Sequence, residues 1–519
     1  PTISLDIVDG ETLIDAPFGQ LHAAFESSGV LGRDFAGMAR IAETTQSQGA
    51  YALRSGGGEL RVISRDETIT ANLDASAAAL GWPHFALAGA SLRASARAPL
   101  DLESATFDLD WRAEAARVAD THATASSGGV TGEATFHAEA LRIANWRLSA
   151  RGDAQDFSTA DARLRGVRAE AHAGSDGQGL RGRAALGAEA FSGMAMMSQR
   201  PAAAVRFFRD ASGAVSADAL VTLAHTSLSP TARQRLRALF PDAEATPIGP
   251  TMASAERALD RAASSFVLTV PLALRHTAGR TQLSLLSATE ATSATGARMR
   301  LSPLRQDAPG IVLTDEPEAP PTLHGAVALE LEGGGVPRVS ALLDTLAWTQ
   351  GAPFEADGTL SLSDWSSDGA SIAADEVGLT IAFPTEGGGR LDLRGPLRIS
   401  GPLGDGAVRG LVATLDATAS WGASGWRVAS NSQCMPIALD SIEAAGLAFH
   451  NGAFALCPTE TALIAANANG ALSGGFNIQR LALAGRMAGP DGQPAQLTAS
   501  NITGRFSGRP GAVALALSA

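Results

Sequence analysis

The sequence predicts an all-β chain, a long, open antiparallel surface with one or two short amphipathic helices near its middle. Three observations predict it. Segments of six to ten residues alternate apolar and polar side chains, as in Phe107-Asp108-Leu109-Asp110-Trp111 and Val327-Ala328-Leu329-Glu330-Leu331. Such a period of two sends successive side chains to opposite faces of a strand. Gly, Pro, Asp and Asn separate the segments, and the pattern runs through most of the 519 residues. Finally, 45% of the chain is hydrophobic but only 5% aromatic. Small apolar side chains make a thin apolar surface more readily than a deep, interlocked core.

In chain order, Leu21 to Phe25 and Phe35 to Ile41 read as short helices or irregular strands. Firmer strands begin at Leu60-Arg61-Val62 and Ile69 to Leu73, and continue through Phe107 to Trp111, Leu141 to Ile143 and Trp146 to Leu148. Gly56-Gly57-Gly58, Ser127-Gly128-Gly129 and Ser175-Asp176-Gly177 read as the turns between them. Ser229-Pro230 places a capping hydroxyl before a proline, so a helix is expected from Arg233 to Phe240, stopped by Pro241. A second is expected from Thr251 to about Ser264, with Met252, Ala255, Leu259, Ala262 and Phe266 near helical spacing. Glu256 with Asp260 and Arg257 with Arg261 are like-charge pairs four apart, so tertiary contact must stabilise that helix.

From Phe266 onward the alternation is cleaner. Leu268, Val270, Leu272 and Leu274 share one face of a strand, as do Leu283 and Leu285. Val327, Leu329 and Leu331 do the same, then Leu379, Ile381 and Phe383, then Leu391 and Leu393. These residues are the candidate lining of an apolar surface. Gly333-Gly334-Gly335 and Gly387-Gly388-Gly389 mark wide turns, and Asp315 to Pro321 reads as a stiff acidic loop. The division expected is a β segment over 1–225, a helical insert over 226–265 and a second β segment over 266–519. Allowing roughly 12–17 residues per strand and turn gives on the order of 30–40 strands, and one sheet of that size would run ~150–190 Å.

The formal charge of −13 argues against a nucleic-acid surface, which needs clustered cations. Every cation is arginine, and the arginines are scattered. No run approaches the ~20 apolar residues of a membrane helix. The string Gly177-Gln178-Gly179-Leu180-Arg181-Gly182 matches a dinucleotide fingerprint by letters, but no βαβ unit surrounds it, so a glycine-rich turn is expected. The nine histidines are dispersed, and Asp364 and Asp368 lack the closing glutamate of a calcium loop. No catalytic residue, metal site or cofactor is expected.

The two cysteines, Cys434 and Cys457, lie in one short stretch around Asn451-Gly452. Asn-Gly is a strong hairpin-turn signal, and a two-residue turn there would pair Phe449 with Phe454 and Leu447 with Leu456. Two cysteines so close fit a single disulfide formed in an oxidising compartment, with a pair of free thiols as the alternative.

Cys434-Met435-Pro436, with the Leu456-Cys457-Pro458 close, resembles the signature of YdbH-type proteins of Gram-negative bacteria, members of the wider AsmA-like group of intermembrane lipid-transport proteins. Thr246-Pro247-Ile248-Gly249-Pro250, the helix after it and the strand at Phe266 to Leu274 are similar to the middle of the same proteins. The resemblance implies a long, twisted β-groove of U-shaped section, with Cys434 and Cys457 as its cysteines. It further implies a periplasmic, non-enzymatic protein that conducts phospholipids between inner and outer membranes. An inner-membrane anchor missing from this chain and an outer-membrane lipoprotein partner belong to the same expectation. Two other readings compete: a secreted structural or adhesive β-solenoid, which would show a fixed repeat period, and a carbohydrate-active β-sandwich. The sandwich would need convergent carboxylates and aromatic platforms, and the chain has one tyrosine and seven scattered tryptophans.

Overall fold

A computed structural model describes the chain except residues 1–3, 18, 31, 138–141, 177–178, 239–245, 385–387, 404, 445, 461, 488–492, 510–511 and 519. The described residues form 34 strands and two helices, α1 (Pro230–Ala238) and α2 (Gly249–Ser264). The fold is all-β, a long antiparallel sheet, as the alternation predicts. The chain divides into two units, one of Pro1–Thr226 with Leu274–Ala278 and one of Ser227–Ala273 with Gly279–Ala519.

In the first unit, strands that follow one another in sequence are mostly neighbours in the sheet. Ser104–Val118 lies between Phe85–Pro99 and Thr121–His137, which pairs in turn with Arg142–Ser158. Leu21 to Phe25 and Phe35 to Ile41 prove to be parts of strands Gly19–Ser28 and Asp34–Ile41. The second unit continues the same grammar from Ala319–Glu332 through Val339–Thr349, Phe354–Ser367, Ala370–Phe383 and Gly389–Leu403 to Gly406–Gly422.

Several glycines expected at turns lie inside strands. Gly56 to Gly58 sit within Tyr51–Arg65, and Gly128 and Gly129 within Thr121–His137. Gly56 and Gly58 stand against Ser76 and Ala75 of the next strand, whereas Gly128 belongs to a recurring cross-strand pair in which an aromatic ring lies over a glycine. Trp111 faces Gly128, Phe107 faces Gly132, and Phe207 faces Gly182. Phe476 faces Gly504, Phe506 faces Gly474, and Trp421 faces Gly389. A Cβ on Gly132 would come within 2.4 Å of Phe107 Cζ, and one on Gly182 within 2.2 Å of Phe207 Cζ. The glycine is a seat for the ring, which keeps the apolar face thin. Gly179 to Gly187 is a strand rather than the glycine-rich turn expected there, and Gly182 seats the Phe207 ring; Gly177 and Gln178 lie outside the described residues. Leu141, Phe240, Pro241 and Gly387 lie outside them as well.

Asp315 to Pro321 is mostly strand rather than a loop: Asp315 and Glu316 end Ile311–Glu316, Pro317 and Glu318 make the turn, and Pro320 and Pro321 accept the extended backbone at the start of Ala319–Glu332. The Asn451-Gly452 turn is also overturned. Strand Leu447–Pro458 runs straight through it, and the turn falls between Ala444 and Leu447. Ile437 pairs with Phe454, Leu439 with Gly452 and Ile442 with Phe449. Gly452 is there because a Cβ would meet Leu483 at 2.5 Å and Leu439 at 3.2 Å. Asn451 adopts φ 53°, and Phe449 and Gly452 are both buried while His450 and Asn451 between them are exposed.

A left-handed residue inside a strand bends it and slips the alternation by one position. The same device appears in alternate strands. Gly89 (φ 57°) and Ala125 (φ 46°) flank Glu114, while Gly410 (φ 58°) and Asn451 flank Asp440. Bends in register on alternate strands crease the sheet.

The surface area is 30599 Å² for 52.9 kDa. Two compact globules of half that mass each would expose only about 21,000 Å² between them. The excess is what a single layer of sheet leaves uncovered.

Candidate functional site: an apolar sheet face

Cross-strand partners in an antiparallel sheet point to the same face, so the register shows which side chains form rows across the strands. In the first unit Phe25, Ala39, Leu60, Leu73, Ala94 and Leu109 stand side by side on six strands. Val130, Ala150, Ala171, Ala184, Val205 and Ala219 extend that row over six more. All twelve positions are apolar. One residue away on each strand the opposite face carries Arg61, Asn72, Ser95, Asp108, Thr131, Ser149 and His172.

Burial separates the two faces. In Ser104–Val118, Ala105, Phe107, Leu109 and Trp111 are half-buried, whereas Thr106, Asp108, Asp110 and Arg112 are exposed. No helix of this unit lies over the apolar rows among the described residues, so the shielding comes from neighbouring strands and from rings laid over glycines. The polar face is laced by exposed ion pairs between strands: Arg93 with Asp74 at 3.2 Å, Arg147 with Glu133 at 3.4 Å and Arg151 with Asp110 at 3.6 Å. Each contributes only ~0–1 kcal/mol. A shallow, open cup of about 640 Å³ is walled by Arg97, Asp108, Glu133 and Arg147.

The second unit repeats the arrangement with larger side chains. Leu285, Ile311, Gly325, Leu346, Ala356 and Ile381 form a row that continues through Leu391, Ala419, Val428 and Ile464. Beside it run Pro303, Val327, Leu343, Gly358, Leu379, Leu393 and Ala417. Leu301, Leu329, Ala341, Leu360 and Val377 make a third row. The structure thus brings Leu285, Val327, Leu329, Leu379, Ile381, Leu391 and Leu393 onto shared rows, and Val327 and Ile381 into one cluster with Leu346 and Ala356. Leu283 pairs with Leu313 and Leu268 with Ala291. Val270, Leu272 and Leu274 are half-buried on the same strand as Leu268.

Phe383 departs from the rest. It is 44% exposed at the end of its strand, where its ring meets Phe354 at 6.2 Å and Trp421 at 6.0 Å. Trp421 pairs with Trp426, so this end of the strands carries a run of exposed aromatic rings.

The sequence argument missed the whole first-unit row. Six of its twelve positions are alanine, which carries little weight in a hydropathy pattern. Alternation of Ala with Arg, Asp or Ser, as in Leu92 to Arg97, was the signal available.

Leu331 lies on a further row with Val339, Leu362, Ala374, Leu397, Ala413 and Ile437. One end of that row is covered by α2, whose Ala258, Leu259 and Ala262 pack with Ala297, Val336 and Leu331. α1 begins at Pro230, three residues before the expected Arg233, and its expected end at Phe240 and Pro241 lies outside the described residues, while α2 begins at Gly249, two residues before the expected Thr251, and ends at the expected Ser264. The Ser229 hydroxyl accepts from the Ala232 amide at 3.2 Å, and Pro250 occupies the first turn of α2. Phe266, expected on the helix, instead begins the following strand.

Cys434 and Cys457 are disulfide-bonded, their Cα atoms 4.0 Å apart across the hairpin of Met435–Ala444 and Leu447–Pro458. No helix among the described residues is long and apolar enough to cross a membrane, and no group of three or more His, Cys, Asp or Glu among them could hold a metal ion. No family model and no curated protein matches the chain.

Proposed function

We propose that this chain is a segment of a periplasmic lipid bridge, whose apolar sheet face holds phospholipid acyl chains and lets them slide between inner and outer membranes. The observation that carries the reading is the unbroken twelve-strand apolar row from Phe25 to Ala219, opposite a face that is mostly polar. An apolar face of this extent must be covered by something. Acyl chains cover it at ~25 cal/mol per Å² without directional bonds, so a chain held there is free to move along the row while its headgroup stays in water. The Cys434–Cys457 disulfide fits an oxidising compartment. The resemblance to YdbH-type proteins supplies the two membranes, the anchor and the lipoprotein partner of this proposal.

The test is photo-crosslinking with p-benzoylphenylalanine in place of Leu109, Leu329 or Asp108, in cells, with adducts read by mass spectrometry. Phospholipid adducts at Leu109 and Leu329 but not at Asp108 are expected. Adducts at none of the three, or equally at all three, would overturn the reading. Leu109→Asp and Leu391→Asp should each lower phospholipid transfer between vesicles by at least fivefold while Asp108→Asn leaves it unchanged.

A further inference from the structure

The insert between the two β segments lies on the apolar face itself. At the start of α2, a Cβ on Gly401 would stand 1.9 Å from the Pro247 carbonyl oxygen, so the chain entering the helix rests directly on strand Gly389–Leu403. At its other end Ala258 and Ala262 reach Ala297 and Val336, beside the first residue of Arg298–Pro303 and the turn before Val339–Thr349. Sixteen residues of helix span ~24 Å. The strands from Gly389–Leu403 back to Arg298–Pro303 are six neighbours, also ~24 Å at ~4.8 Å per step. Therefore α2 runs across the strands, along the direction of the rows, and occupies the end of the face that carries Leu331.

Its attachment is shallow on the sheet side and firm on the other. The residues facing the sheet are mainly alanines, with Ala258 only 1% exposed and Ala255 4%. The polar anchors go to α1: Asp260 accepts from Arg233 at 2.9 and 2.7 Å and from Arg237 at 3.2 and 3.0 Å. A helix joined to its partner helix by four charge-assisted bonds, and to the sheet by alanines with one leucine, Leu259, and no ion pair among the described residues, separates from the sheet more readily than from its partner.

Resting on the lipid-bridge reading, we infer that α1 and α2 form a lid, a built-in occupant of the apolar face that must lift as a pair before an acyl chain can pass the Leu331 row. Small residues suit this role, since they shield the face without interlocking with it.

The experiment pins the lid. Ala258→Cys with Val336→Cys, oxidised, is compared with each single variant in the 519-residue chain, using vesicles that carry a fluorescent phospholipid. The pinned protein should transfer lipid at least fivefold more slowly than either single variant. In the same proteins p-benzoylphenylalanine at Leu362 should lose its lipid adducts on pinning, while at Leu109 it keeps them. Equal transfer and equal Leu362 adducts with and without the pin would overturn the lid, leaving the bridge intact. Absence of adducts at Leu109 in every variant would instead overturn the bridge, and the lid with it.

Discussion

Phe107 and Gly132 show how a thin sheet buries an aromatic ring without a second layer. The ring crosses to the neighbouring strand and lies where a Cβ would be. Gly132→Leu should therefore displace it and cost about 1–3 kcal/mol, measured by urea unfolding. Gly132→Leu combined with Phe107→Ala should cost less than the two separate changes added together, which would mark the pair as coupled. Asp260 is the other residue whose environment is distinctive. Hydrogen bonds from Arg233 and then Arg237 hold its carboxyl down to about 2, below the usual 3.8. A depressed carboxylate contributes stability that is present above pH ~4 and lost as pH falls toward 2. Pepsin cleavage at Leu259 should consequently rise between pH 4 and pH 2 in the native protein, and be high across that range in Asp260→Asn.

Elements in this protein owe their form to breaks in regularity as much as to regularity. Strands of fourteen to seventeen residues, such as Ser104–Val118 and Thr121–His137, would run straight if every residue were extended. Left-handed residues at Gly89, Ala125, Gly410 and Asn451 bend them, and a bend in one strand faces a bend two strands away across a carboxylate residue. Asn451→Val should be costly, because a β-branched residue tolerates φ 53° poorly, whereas Asn451→Gly should be neutral within about 0.5 kcal/mol. Chemical denaturation of the two variants checks it. The start of α1 was legible from the Ser229 cap and that of α2 from Pro250 in its first turn, although Ile248 gives α2 no side-chain cap. Their seat on the apolar face was not legible, because it depends on Gly401, Ala297 and Val336, which lie far from α2 in sequence.

On the scale of the whole molecule, uncovered sheet dominates the energetics. A chain with so much surface for its mass has less buried apolar area per residue than a globule, so covalent ties matter more. The Cys434–Cys457 bond closes a loop of 23 residues and should contribute roughly 3 kcal/mol through the unfolded chain. Cys434→Ser with Cys457→Ser should lower the urea midpoint of the second unit, and the same loss should follow reduction of the native protein.

Period-two alternation by itself determined the fold class, the two faces and the apolar identity of one of them, since side-chain direction in a strand follows from chain position alone. Asp108, Leu109 and Asp110 could be sorted to their faces from three letters. Local chemistry likewise set the helix starts at Ser229 and Pro250. Tertiary structure alone decided which strands stand beside which, and so that Leu60, Leu73, Ala94 and Leu109 join into one row. It also decided that Gly128 seats a ring instead of making a turn, and that Asn451-Gly452 sits inside a strand. Register is a relation between distant segments, and nothing in a single strand's pattern states which neighbour its residues will meet.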